Sequence, residues 1–171
     1  MAAAADVRFS RAGGRAIAVL RIFFGLVFLT NGLAKLVPGI AHLPGGYFLI
    51  DSEGARSIIQ HNAKHHPVAL YHDLVFNFLV PNWNLFGPLV GLTETAAGLM
   101  LLLGLASWAG ALLAAGLSFH IQFSDANGPW LYEYAVEWLP LICLAFMHAG
   151  MTWGLDSRLA GRNQHWHRYF G

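Results

Sequence analysis

The sequence predicts an all-α protein, a four-transmembrane-helix bundle with a long outer loop that carries an interfacial or re-entrant helix between helices 1 and 2. Three observations predict it. Charged residues make up only 11% of the 171-residue chain, and 56% is hydrophobic. Ordinary soluble domains carry roughly 25% charged residues, so this chain cannot cover itself with polar surface, and lipid can cover it instead. Four apolar runs approach the roughly 20 residues that a helix needs to cross hydrocarbon. Lys and Arg gather in the two tails and thin out in the larger loops.

The first span covers residues 16–37 and ends before Pro38-Gly39, a helix-stopping pair. The second covers residues 85–104, after the breaker Pro81-Asn82, and the third covers 106–123. The joint from Gly104 to Ser107 is short enough to make these two a tight antiparallel hairpin. The fourth span covers residues 135–153, and residues 154–171 form a tail, all in a single membrane domain. The outer loop, residues 38–84, holds four of the seven prolines and five of the nine histidines. Within it, residues 67–80 are apolar but too short to span. They suit a helix in the headgroup region, with Tyr71, Phe76 and Phe78 at the interface. The start of the chain, with Arg8, Arg11 and Arg15, has the charge of a signal peptide. The apolar run behind it is longer than a signal core and contains Arg21 and Lys35, so it reads as a retained first span.

Basic residues set orientation. The N-terminal tail has Arg8, Arg11 and Arg15, and the C-terminal tail has Arg158, Arg162 and Arg168. The first loop has only Arg56 and Lys64 against Asp51, Glu53 and Asp73, and the loop before the fourth span has Asp125 and Glu133 with no base. Both tails are therefore expected in the cytoplasm, in an inner (plasma) membrane. Trp83, Trp130, Tyr132, Tyr134 and Trp138 fit an outer aromatic belt, and Trp108 and Trp153 an inner one.

Several chemistries are excluded or disfavoured. A net charge of +1 offers no basic field for nucleic acid. The single cysteine, Cys143, cannot form an internal disulfide or a CxxC pair, and reads as a small core residue. No phosphate-binding loop, nucleophile elbow or haem attachment motif occurs. His61, His65 and His66 include an i, i+4 pair, but no HExxH arrangement or further cysteine supports a metal site, and they read as an exposed polar loop face. His120 and His148 fall at opposite depths, which disfavours paired haem ligation, and His148 reads as a core histidine.

The informative residues are polar groups inside the spans, where a charge costs roughly 2.5–3.5 kcal/mol on insertion scales. Asn31, Lys35, Glu94, His120 and Glu137 sort into the outer half of the membrane, and Arg21 lies near the inner surface. At 100° per residue, Arg21, Gly25, Gly32 and Lys35 share an arc of roughly 80° on the first span. Gly91 and Gly98 flank Glu94 at i−3 and i+4. Glycines permit close helix approach, so both spans present small residues and a charge on one face. Lys35, Glu137 and Arg21 each have a plain alternative: the headgroups lie within reach of a snorkelling side chain. Glu94 is short and central, so it must be protonated, paired or facing water. Lys35 and Glu94 are expected to form the central polar contact.

These residues carry a family resemblance. The run from Arg21 through Gly25, Asn31 and Gly32 to Lys35 looks like the opening span of the DoxX family. Glu94 to Gly98, continuing to Gly104, resembles its second span, and His148 to Asp156 resembles its close. Val80 to Phe86 is similar to the subgroup containing the small DoxD-type subunit of thiosulfate:quinone oxidoreductase. The resemblance implies a four-helix membrane bundle associated with quinone-linked or thiol-redox complexes, with Arg21, Asn31, Lys35 and Glu94 as the matched polar positions. The long histidine-rich first loop departs from the family pattern, as does the inner joint Gly104 to Trp108, where many relatives have an Arg.

Two functions compete. The first is a membrane subunit of a redox complex that handles a quinone. Glu94, Lys35 and His120 would be its catalytic groups, and Arg21, Asn31, Glu94 and Glu137 would line the quinone pocket, with no metal and no covalently bound cofactor. Partner subunits would supply the electron carrier. The second is a non-catalytic scaffold or assembly subunit, in a larger complex or a homo-oligomer. A transporter ranks third, because no internal repeat is visible.

Overall fold

The computed structural model describes residues 11–44, 46, 49–126 and 135–160. All regular structure among them is helical. The elements are α1 (Arg11–Leu36), a 3₁₀ turn (Ile40–His42), α2 (Ser52–Lys64), α3 (Ala69–Leu74) prolonged by a π turn (Val75–Leu79), α4 (Trp83–Leu103), α5 (Ser107–Ser124), α6 (Ala135–Phe146), a second 3₁₀ turn (Ala149–Met151) and α7 (Leu155–Ala160). The tail residues Arg8, Arg162 and Arg168, and the belt residues Trp130, Tyr132 and Tyr134, lie outside the described residues.

Two helices, Gly13–Leu36 and Trp83–Leu103, are long and apolar enough to cross a membrane. At 1.5 Å per residue, the 26 residues of α1 reach about 39 Å and the 21 of α4 about 31 Å. These two form the most extensive helix pair, and α4, α5 and α6 follow in sequence around the core. The core is made of Phe24, Phe28, Ala97, Leu101, Ala111, Ala114, Leu141 and Leu144. Polarity is inverted relative to a soluble bundle. Arg21 is 0% exposed and Glu94 8%, whereas Phe23, Leu85 and Val136 are 57%, 65% and 65% exposed. Water would penalise that arrangement and lipid favours it.

Glycines bring α1 and α4 together. A Cβ on Gly25 would lie 2.6 Å from the Leu102 backbone nitrogen, and one on Gly32 would lie 2.5 Å from that of Thr95. A Cβ on Gly98 would overlap the Leu29 backbone. The backbones therefore meet with no side chain between them along the predicted stripe.

The end of the bundle near Arg21 is closed by polar groups. Gly104, at φ 62°, ends α4; Gly104 N donates to Leu101 O and Leu105 N to Met100 O, a Schellman closure. Arg21 completes it from another helix, donating through Nη1 to Leu101 O at 2.7 Å and through Nη2 to Thr152 O and Trp153 O at 3.4 Å each. The start of α5 has no capping side chain of its own, since Ala106 stands at the cap with φ 47°. Asp156 caps it instead: its carboxylate accepts from Ala106 N (2.7 Å), Ser107 N (3.1 Å) and Ser107 Oγ (3.0 Å).

This closure explains a correction. The fourth helix was expected over 135–153, yet α6 stops at Phe146 and His148 adopts φ 48°. The chain must turn there so that the carbonyls of residues 152 and 153 reach Arg21 and Asp156 reaches α5. The turn leaves His148 exposed, so it is not a core histidine. Cys143 is also exposed, on the outward face of α6, and not in the core. The outer loop is more ordered than expected. It holds α2, which sequence reading missed, and residues 69–79 form the helix expected over 67–80, bent by its π turn. His61 and His65 are exposed, but His66 is buried. Trp83 is not a belt residue; it is 8% exposed and its Nε1 donates to Ser52 beneath α2.

Two predictions follow from the packing. Gly98→Ala should destabilise the protein by about 1–3 kcal/mol in detergent unfolding, as overpacked cores do, whereas Gly116→Ala, with nothing within 4 Å of its Cβ, should be neutral or slightly stabilising. Asp156→Asn should lower stability by about 1–3 kcal/mol through a lost acceptor at buried amides, read as a fall in thermal midpoint.

Candidate functional site

The end of the bundle away from Arg21 encloses a cavity of about 430 Å³. It is walled by α1, α2, α4, α5 and α6, and by Leu79 from the π turn. Asn31, Lys35, Glu94, His120 and Glu137, five of the six candidate site residues, line it together. The sixth, Arg21, does not; it is engaged with backbone carbonyls in the closure at the far end of α1. Phe28, Ile59, Phe86, Val90 and Ile121 make much of the remaining wall.

Lys35 and Glu94 are set by the glycine seam. Lys35 lies one turn beyond Gly32, and a Cβ on Gly91 would come within 3.0 Å of the Lys35 Cβ. With no side chain at Gly91, the lysine stem passes over α4 and its Nζ reaches Glu94 Oε2 at 2.7 Å. Their side chains are 4% and 11% exposed, so the pair is shielded from bulk solvent. Lys35 Nζ also donates to Asn31 O at 3.4 Å. The Asn31 side chain ties the outer loop down, donating from Nδ2 to Val27 O (3.0 Å) and accepting through Oδ1 from Ile50 N (3.2 Å).

The opposite wall is built by α5 and α6. Ser118 Oγ donates to Glu137 Oε2 at 3.1 Å. His120 faces the cavity, and its Nε2 lies 3.3 Å from the Tyr71 hydroxyl. Burial raises the Tyr71 phenol above its ordinary value, opposed by a smaller effect of Ser124.

The roof is α2 with α3. Asp51 caps α2 by accepting from Gly54 N at 2.7 Å, and Ala55, Ile58 and Ile59 face the cavity. The roof is pinned to the end of α5: Asn62 Nδ2 donates to Ser124 Oγ at 3.0 Å, and His66 Nε2 pairs with Phe123 O at 2.9 Å. His66 Nδ1 accepts from Val68 N at 3.2 Å, so its ring proton sits on Nε2. Among the described residues, no group of three His, Cys, Asp or Glu side chains is placed to hold a metal.

Sequence reading missed Ser118, Tyr71 and the α2 residues. The α2 signal was present as an Asp cap followed by apolar residues at 55, 58 and 59, a helical spacing. Ser118 and Tyr71 had no signal, because each acts through a partner far along the chain.

The buried pair gives a stability prediction. Breaking a buried ion pair costs about 3–5 kcal/mol, because it strands one charge. Glu94→Leu and Lys35→Met should each destabilise on that scale. The double variant Lys35→Met/Glu94→Leu should recover most of the loss, giving a large coupling in a double-mutant cycle.

A DoxX family model matches residues 16–124, which runs from α1 to the end of α5. The closing stretch, residues 148–156, and the α6 residue Glu137 lie beyond the match. No curated protein and no solved structure matches the chain. The family match takes in most of the chain and four of the five candidate polar residues on the cavity, Asn31, Lys35, Glu94 and His120: this membrane protein belongs to the DoxX family.

Proposed function

We propose that this protein is the quinone-handling membrane subunit of a redox complex. It crosses the inner membrane four times through α1, α4, α5 and α6, as one membrane domain with both tails in the cytoplasm. Basic residues in the tails and the acidic outer loops support that orientation. It puts the Arg21 closure at the inner face and the cavity in the outer half. The α3 stripe of Leu70, Leu74 and Phe78, exposed by 78%, 45% and 52%, rests in the outer headgroups.

The observation that carries the reading is the cavity itself. At about 430 Å³ it falls in the range of small-molecule sites, and its apolar wall holds a few converging polar groups. That lining fits a quinone ring. A bound quinone supplies reversible two-electron, two-proton chemistry. Lys35 and Glu94 would offer a bound ring a charged hydrogen-bonding pole on one wall of the cavity. Glu137, held by Ser118, would face it from the other wall, and His120, beside the Tyr71 hydroxyl, would pass protons toward the outer surface. A partner subunit carrying a flavin, haem or iron–sulfur centre exchanges the electrons.

A scaffold or assembly role is the second reading, favoured by the way Lys35 and Glu94 satisfy each other. Ligand binding separates the two. Full-length protein in lipid nanodiscs, titrated with ubiquinone-1 and separately with ubiquinol-1 kept reduced, and followed by tryptophan fluorescence, should show saturable binding of at least one of the two. The stable double variant Lys35→Met/Glu94→Leu should bind at least tenfold more weakly. No saturable binding by the wild type, or unchanged binding by the double variant, would leave the scaffold reading.

A further inference from the structure

The hydrogen-bonding inventory of the cavity is lopsided. Donors facing it are largely engaged within the protein. Lys35 Nζ is held by Glu94 and Asn31 O, the Asn31 amide by Val27 O, Trp83 Nε1 by Ser52 and Ser118 Oγ by Glu137, and His120 Nε2 is paired with the Tyr71 hydroxyl. Acceptors are in surplus. Among the described residues, Glu137 has one hydrogen-bond donor, Ser118, for two carboxylate oxygens that together present about four acceptor sites. Charge follows the same pattern: among the described lining residues Lys35 is the one Lys or Arg, and it is paired with Glu94 rather than with Glu137.

A ligand that settles in this cavity has to bring hydrogen atoms for those acceptors, because a buried acceptor left unpaired costs more than a made hydrogen bond returns. A quinone carries two carbonyl oxygens, which only accept. Its reduced form, a hydroquinone, carries two hydroxyls, which donate. We infer that the cavity selects the reduced, hydroxyl-bearing form, a membrane-soluble hydroquinone or phenol, with Glu137 accepting a ring hydroxyl. This rests on the quinone-site reading and adds to it the redox form and the residue that discriminates. Glu137 thereby becomes a specificity-determining residue, on a helix outside the family match.

The test uses full-length protein in nanodiscs and three probes: ubiquinone-1, ubiquinol-1 kept reduced without oxygen, and the dimethyl ether of ubiquinol-1, which has the ring and tail but no hydroxyl donor. Ubiquinol-1 should bind at least tenfold more tightly than either of the others. In Glu137→Gln the preference over ubiquinone-1 should shrink to threefold or less. The ether comparison needs no variant and stands if Glu137→Gln fails to fold. Equal binding of the quinol and the quinone, or of the quinol and its ether, overturns the inference while leaving the quinone site in place. Binding by none of the three overturns both.

Discussion

A lysine and a glutamate placed where water is scarce set the terms for the rest of this molecule. Each ion costs several kcal/mol to dehydrate, and only close contact with good geometry offsets that cost. The 2.7 Å separation of Lys35 and Glu94 meets the requirement. Contact that close needs α1 and α4 nearly backbone to backbone, which is why Gly25, Gly32, Gly91 and Gly98 line the seam. On the Lys35 side the pair borders a space that α2, α5 and α6 also line. That space is the cavity.

The two ends of the bundle solve opposite problems. At one end polar groups are spent on the backbone: the Arg21 Nη atoms and the Asp156 carboxylate satisfy helix termini. At the other end polar groups converge on open volume under a roof pinned by His66 and Asn62. Arg21 and Lys35 lie on one helix stripe, yet only Lys35 borders the cavity, because α4 ends in carbonyls beside Arg21 and presents a carboxylate beside Lys35.

Much of this was legible from periodicity. The arc shared by Arg21, Gly25, Gly32 and Lys35 is an inward face of α1, and the spacing of Gly91, Glu94 and Gly98 marked the matching face of α4. Depth sorting brought Asn31, Lys35, Glu94, His120 and Glu137 into one layer, and all five line the same cavity. What sequence could not supply was the destination of Arg21. Its partners are backbone carbonyls 80 and more residues away, and carbonyls leave no signature in residue type. The early end of α6 was hidden for the same reason, since its apolar run continues past the point where tertiary contacts bend it. Helix α2 was obscured by its polar composition, which resembles a loop unless the Asp51 cap is weighed with the 55, 58, 59 spacing.

The most direct test of this account is a charge exchange between α1 and α4. Lys35→Glu alone and Glu94→Lys alone each place two like charges together in the seam, and each should sharply reduce the yield of folded protein recovered from membranes. Combining them restores an ion pair in reversed order, and recovery should return to near the wild-type level. If the single variants fold as well as the wild type, the two side chains do not meet in a shielded seam, and the account is wrong.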